Sequence, residues 1–199
     1  MLQHMFGVIY HPKAEWKFIK EEKYSWVDCY KNDILWLAAI PPLSLFIGTT
    51  QMGWSIAGGD YIKLTVASAI PIAIAFYFAL LIGVYAMAHA VHWMEKTYGS
   101  DASFDRCMVL TTFTATPLFM AGFAGLWPML WFVVMSGLAA LCYTIYLLYN
   151  GVETIMEIPE EQAFLFGTSI LTVGLVFLVC IITGSVLLWG MGMMPVFTS

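Results

Sequence analysis

The sequence predicts an all-α integral membrane protein with five transmembrane helices and an N-terminal amphipathic interfacial helix. Hydrophobic residues make up 61% of the chain and charged residues only 11%, against roughly 25% charged in a soluble domain. The mean hydropathy is +0.82. Residues 107–152 form a run of 46 residues without Asp, Glu, Lys, Arg or His. These observations leave no room for a soluble catalytic domain, and nucleic acid is not expected as a partner.

The uncharged run is predicted to cross the membrane twice. As a single helix it would be about 70 Å long, whereas a hydrocarbon core is about 30 Å thick. The turn is placed at Gly125–Pro128, because glycine frees the backbone and proline suits a first helical position. Trp127 suits a lipid–water boundary. The third and fourth spans are therefore predicted at residues 107–126 and 127–149.

The other spans follow from apolar runs at residues 34–52, 64–90 and 164–189. Pro41 and Pro42 interrupt the first of them, and a kink is expected there because proline removes a helical hydrogen bond. Residues 151–162 are predicted to be a solvated connector. The chain thus divides into a leader, residues 1–33, and a five-span domain, residues 34–199.

The leader is predicted to form an amphipathic helix that lies in the headgroup layer. Ile9, Trp16, Ile19 and either Trp26 or Val27 recur at near-helical spacing and are expected to face acyl chains. Lysines at other positions would contact anionic lipid, which makes membrane lipids the expected partners. These lysines are Lys13, Lys17, Lys20 and Lys23. The alternative is a solvated leader whose charges only keep it out of the bilayer.

The basic residues predict the orientation of the chain. With five spans, seven of the eight Lys and Arg residues lie on the side of the N-terminus, and Lys63 lies alone on the other side. Basic loops stay in the cytoplasm. The N-terminus is therefore predicted to be cytoplasmic and the C-terminus to lie across the membrane.

Three residues near the end of the second span resemble metal ligands. His89, His92 and Glu95 follow at three-residue steps on one helix face. Two histidines without a third are more typical of interfacial polar residues, so no metal and no cofactor are expected. The four cysteines lack CxxC or CxxH spacing and are expected to be small apolar residues without disulfides.

Catalysis is not predicted, and no catalytic residue is assigned. Proton-coupled carriers place ionisable side chains deep in the membrane, and none is expected deep in these spans. Intramembrane hydrolases need a Ser–His pair or HExxH, and the spans contain neither pattern. The acidic residues after the fourth span have no accompanying catalytic group. They are Glu153, Glu157, Glu160 and Glu161.

Hydroxyl and aromatic residues form the remaining candidate site. Four threonines precede Pro117 and are expected to bond the carbonyls that this proline frees. Ala139, Tyr143, Tyr146 and Asn150 form a stripe that is predicted to pack against a neighbouring span and to contribute to an aromatic belt. The alternative is a bound lipid or small polar ligand. The residues assigned to this ligand or packing face are Thr112, Thr116, Pro117, Tyr143, Tyr146 and Asn150.

Several segments together resemble one family, and they run in order along nearly the whole chain. The chain resembles the bacterial branch of the Yip family, five-span membrane proteins named for interacting with Ypt/Rab GTPases. The segments are Pro12-x-x-x-Trp16-x-x-Ile19, Gly48–Trp54, Ala115–Phe119 and Tyr143–Gly151.

The resemblance implies a multi-pass protein of the bacterial inner membrane with a cytoplasmic N-terminus, a periplasmic C-terminus and no known catalytic activity. The long GTPase-contacting region of eukaryotic members is not found in the leader, so contact with a Rab-type GTPase is not expected in a bacterial host. The predicted function is membrane organisation, as a scaffold or in a lipid-associated role, with possible homo-oligomers. The alternative is a small-solute or ion transporter or channel formed by an oligomer.

Overall fold

The computed structural model describes residues 7–8, 10–22, 24–54, 61–127, 129–191 and 194–198. A leader helix, Pro12–Glu21, precedes five helical segments that are long and apolar enough to cross a membrane. These segments are span 1, Trp26–Met52; span 2, Val66–Tyr98; span 3, Phe104–Leu126; span 4, Leu130–Met156; and span 5, Glu160–Gly190. The predicted all-α membrane fold is confirmed.

Three spans contain changes of helix type. Span 1 consists of the α-helices Trp26–Cys29, Leu35–Leu37 and Ile40–Ile47 and the π-helices Tyr30–Ile34 and Gly48–Met52. Span 2 ends as the 3-10 helix Glu95–Tyr98, and span 3 ends as the 3-10 helix Gly122–Leu126. Spans 4 and 5 are α-helical throughout.

Span 1 begins earlier than its apolar composition indicates. The side chain of Ser25 accepts a hydrogen bond from the backbone N–H of Val27, and Asp105 accepts one from the N–H of Trp26 at 2.7 Å. These bonds satisfy donors at the first helical turn. The α-helix of span 1 is interrupted at residues 38–39, directly before the helix in whose first turn Pro41 and Pro42 fall.

The connector predicted at residues 151–162 is wrong. The helix of span 4 continues to Met156, and span 5 begins at Glu160. Gly151, Val152 and Ile155 are buried against the core, so packing extends the helix beyond the end of the uncharged run. Only residues 157–159 connect the two spans.

Span 3 is the centre of the bundle. Of its most apolar 18-residue window, 61% is buried, compared with 11% in spans 2 and 4 and 6% in span 5. The core lies at the end of the bundle that carries the leader helix, which we call the leader end. The opposite, tail end leaves spans 4 and 5 largely exposed along residues 130–138 and 175–189.

A small antiparallel sheet closes the tail end. Strand β1, Lys63–Leu64, pairs with β2, Phe197–Thr198, with Lys63 opposite Thr198 and Leu64 opposite Phe197. Trp54 and Ile62 form an adjoining bridge, and the Trp54 and Phe197 rings lie 6.5 Å apart. The last strand therefore returns to the start of span 2, although the sequence predicts only a short uncharged tail.

Gly122→Ala tests the packing of span 3 on span 1. A Cβ atom at Gly122 would lie 2.6 Å from Cγ and 2.7 Å from Cα of Pro41. Because a close-packed core must shift to admit a methyl group, we expect a loss of about 1–3 kcal/mol of stability. Thermal unfolding of the purified protein in detergent measures this loss.

The matched control is Gly137→Ala in span 4, where a Cβ atom meets nothing within 4 Å. Alanine is favoured over glycine in a helix by up to about 1 kcal/mol, so the control should unfold at the same temperature as the parent protein or higher. Equal unfolding temperatures for Gly122→Ala and the parent would contradict the contact.

Candidate functional site at the leader end

The leader helix is docked on the bundle by a buried aromatic side chain. Trp16 is fully buried and Ile19 is 1% exposed. The Trp16 ring meets Phe113 of span 3 edge to face, with centroids 6.2 Å apart. A Cβ atom at Gly151 of span 4 would lie 2.7 Å from Cζ2 of Trp16. The absence of a side chain at Gly151 thus creates the space that the indole occupies.

The prediction that Trp16 and Ile19 face acyl chains is wrong, because both pack against protein. The leader exposes several other side chains, and we call four of them the leader surface: Tyr10, Lys13, Lys17 and Phe18. Lys20, Glu21 and Glu22, at the end of the leader helix, are exposed as well. Tyr10 is 75% exposed and Phe18 is 58% exposed. The sequence shows that Tyr10 and Phe18 are aromatic, but the near-helical spacing of Ile9, Trp16 and Ile19 predicted that a different face of the leader helix contacts lipid. Ile9 and Lys23 lie outside the described residues.

An ion-pair cluster fixes the end of the leader helix. Glu157 Oε1 lies 3.2 Å from Lys20 Nζ and 3.0 Å from Arg106 Nη1. Lys20 therefore pairs within the protein and does not join the leader surface. The hydrogen bond from Lys20 and the charge of Arg106 lower the pKa of Glu157. Glu157 adopts φ +56°, a left-handed conformation that L residues rarely adopt.

A cavity of about 350 Å³ opens between the leader helix and spans 3 and 4. Its floor is apolar, and its rim contains charged groups of both signs. Tyr24 lies on the rim and donates a hydrogen bond to Glu22; burial raises the pKa of this phenol, and the bond raises it further. The lining residues are Ile19, Lys20, Glu21, Glu22, Tyr24, Ser103, Asp105, Arg106, Val109 and Ile155.

The threonines of span 3 do not bond the carbonyl that Pro117 frees. That carbonyl belongs to Phe113, four residues earlier. The hydroxyls of Thr111, Thr112, Thr114 and Thr116 each donate to the carbonyl four residues before them, which are those of Cys107, Met108, Leu110 and Thr112. Thr112 and Thr116 are buried, as is Pro117. Their hydroxyls are thus satisfied inside their own helix.

The stripe predicted on span 4 does not form one packing face. Tyr143 is half-buried and donates to the carbonyl of Val8 at 3.4 Å. Tyr146 is 45% exposed, and Ala139 is also exposed. Asn150 Nδ2 donates to the carbonyl of Tyr146 at 2.7 Å, within the same helix. Packing against a neighbouring span is therefore wrong for Ala139 and Tyr146, because the buried face of this helix is formed by Leu147, Leu148 and Gly151.

The three residues considered as metal ligands are separated by the structure. His89 Nδ1 lies 3.2 Å from the carbonyl of Tyr85, one turn back. His92 and Glu95 stay together and are joined by Cys107 of span 3, with their ligand atoms all within 4.8 Å. The sequence does not indicate this third residue, because it belongs to the next helix.

Two carboxylates are buried near the ends of spans, at positions outside the predicted spans 34–52 and 64–90. Asp33 is 2% exposed within span 1, and Glu95 is 1% exposed at the end of span 2. Asp33 falls in span 1 because that helix starts earlier than its apolar run, and Glu95 falls in span 2 because that helix ends later than its apolar run. All four cysteines are free thiols.

The fold and this site define a multi-pass helical membrane protein with an N-terminal leader helix docked on its bundle. The chain belongs to the Yip1 domain family, whose model matches residues 6–181. It is 36% identical over 191 residues to inner membrane protein YohC of Escherichia coli K12, covering 96% of this chain and 98% of that protein.

Inner membrane protein YohC of Escherichia coli O6:H1 is similar to the chain at the same identity and coverage. No solved structure matches the chain. The names of the relatives and the five apolar helices together support a multi-pass location in the inner membrane.

Glu157→Gln tests the ion-pair cluster through the pH dependence of stability. The folded pKa of Glu157 is lowered, so its contribution is fully present above the ordinary carboxyl value of about 4.3 and is lost as pH falls through the folded pKa. We expect the variant to unfold at a lower temperature than the parent at pH 7, and the difference to disappear in acid. Thermal unfolding across this pH range measures it.

Glu153→Gln is the control, since it removes the same charge from an exposed residue in the last turn of span 4, the helix that ends just before Glu157. It should unfold like the parent protein at every pH. A constant difference between Glu157→Gln and the parent from neutral pH into acid would argue against a role of the Glu157 charge.

Proposed function

We propose that the protein is a non-enzymatic component of the bacterial inner membrane that organises lipid at the cytoplasmic face. The observation that supports this most is the docked leader helix, which buries Trp16 and leaves exposed Phe18 and, one helical turn apart, Lys13 and Lys17. Lysines attract anionic headgroups, and exposed aromatic side chains suit the boundary between headgroups and acyl chains.

Docking gives this surface a fixed position, which distinguishes it from a free amphipathic helix. A helix held by protein contacts loses little further conformational freedom when lipid binds. The lysines on the leader, with Lys31, Lys96 and Arg106, support a cytoplasmic position for this surface and a periplasmic C-terminus.

The cavity supports a lipid-associated role better than catalysis. An apolar floor beneath charges of both signs is suited to a phospholipid headgroup and the start of its chains. Among the described residues that line it, Ser103 is the only serine and none is histidine or cysteine, so this lining lacks a Ser–His or Cys–His pair that would activate a nucleophile. Scaffolding through homo-oligomers stays a prediction. Contact with a Rab-type GTPase is still not expected.

Lys13→Gln combined with Lys17→Gln tests the leader surface. Each lysine near an anionic membrane contributes about 1 kcal/mol, so the double variant should bind phosphatidylglycerol at most roughly 30-fold more weakly at low salt. The readout is the phosphatidylglycerol retained per chain in native mass spectrometry, after reconstitution with mixed phosphatidylglycerol and phosphatidylethanolamine. Added salt should reduce the difference between parent and variant.

Lys63→Gln combined with Lys96→Gln is the matched control, because both lysines are exposed and neither belongs to the leader. This variant should retain more phosphatidylglycerol than the leader variant. Equal losses in the two double variants would reject a specific role for the leader surface.

The alternative, a small-solute or ion pathway formed by an oligomer, is less well supported. The polar side chains available to line such a pathway are the threonines of span 3 and the tyrosines of span 4, but each of those threonine hydroxyls donates within its own helix. Such hydroxyls are poorly placed to replace the hydration shell of a permeating ion.

Flux measurements separate the two functions. Vesicles reconstituted with the protein should show no more flux of ions or small solutes than empty vesicles. Tyr143→Phe combined with Thr116→Val should therefore change nothing. Flux above that of empty vesicles that disappears in this variant would overturn the preference for a lipid-organising role.

A further inference from the structure

We propose that His92, Glu95 and Cys107 bind one zinc ion at the leader end of spans 2 and 3. The sequence favoured no metal and considered His89 as the third ligand. The structure instead supplies a thiol from the neighbouring span, so the donor set becomes one imidazole nitrogen, one carboxylate oxygen and one sulfur. Zinc, a borderline-soft ion, is bound by all three donor types.

The distances between the donor atoms are close to those of a tetrahedral site. His92 Nδ1 lies 3.5 Å from Glu95 Oε1 and 3.9 Å from Cys107 Sγ. Ligands around zinc, at bond lengths of about 2.0–2.3 Å, are about 3.3–3.7 Å apart. The three atoms therefore need to move only a few tenths of an ångström to about 1 Å to share one ion.

Two features orient the ligands before any ion binds. Glu95 Oε2 accepts the backbone N–H of Ala102 at 2.5 Å, which leaves Oε1 directed toward His92. The ring of His92 rests against Phe104, with centroids 5.9 Å apart. Contacts of this kind around metal ligands hold them in place and raise metal affinity.

Charge also favours a cation at this position. Glu95 is 1% exposed, and among the described residues its only ion-pair partner is His92. A buried carboxylate is costly unless a positive charge compensates it. Zinc would compensate both Glu95 and the Cys107 thiolate, whose proton is released to solvent on binding.

Access and coordination number indicate an open site. Cys107 is fully buried, but the His92 side chain is 41% exposed, so an ion can reach the ligands from that side. Three protein ligands leave a fourth position for water or another small donor. The ion would join the last turn of span 2 to the first turn of span 3.

Cobalt binding tests the proposal, because tetrahedral Co²⁺ gives visible d–d bands and a thiolate-to-cobalt charge-transfer band. The full-length protein in detergent is stripped with a chelator and titrated with Co²⁺. We expect saturation at one ion per chain, both sets of bands, and their loss when Zn²⁺ is added. No charge-transfer band in the parent protein would show that the three residues form only a hydrogen-bonded network, and would overturn the proposal.

Variants identify the ligands. Cys107→Ser should lose the charge-transfer band. His92→Gln, at a half-exposed position that should tolerate substitution, should weaken Co²⁺ binding by at least about tenfold. Cys29→Ser and His89→Gln are the controls, since Cys29 is another buried thiol and His89 lies one turn from His92. Retention of the band in Cys107→Ser, or its loss in Cys29→Ser, would contradict the assignment.

Discussion

The burial of span 3 is the constraint on which the other helices depend. This helix enters the 46-residue uncharged run at Cys107, and its side chains from Cys107 to Thr114 are all buried. Inside a bilayer its backbone and hydroxyl groups must be satisfied by the protein. Its threonines meet that requirement within the helix, which frees its whole circumference for packing against spans 1, 2 and 4 and the leader helix.

Packing around this helix is concentrated at one end, and the functional features lie there. The leader end contains the docked tryptophan, the ion pairs of Glu157, the cavity and the cluster of His92, Glu95 and Cys107. The tail end has exposed apolar helices that suit contact with acyl chains. The bundle thus provides a rigid platform at one membrane surface, and it holds the leader helix on that platform.

Much of the fold could be predicted because hydrophobic length determines where a chain crosses a bilayer. The uncharged run and the turn before Leu130 specified two spans by themselves. Helix ends were less predictable, because Gly151 and Ile155 are buried by tertiary contacts that no local pattern reveals. The burial of Trp16 against protein could not be predicted for the same reason. Helical periodicity defines an apolar face but does not say whether lipid or protein covers it. Cys107 joined His92 and Glu95 only through the packing of two spans.

The central claim is that protein contacts, not lipid alone, hold the leader helix in place. Amide hydrogen exchange of residues 12–21 in lipid nanodiscs measures this most directly, comparing the parent with Gly151→Leu, whose side chain would occupy the space of the Trp16 indole. The account predicts slow exchange in the parent and fast exchange in the variant, while span 5 stays protected in both. Slow exchange of the leader in both proteins would contradict it, because lipid would then be sufficient to hold the helix.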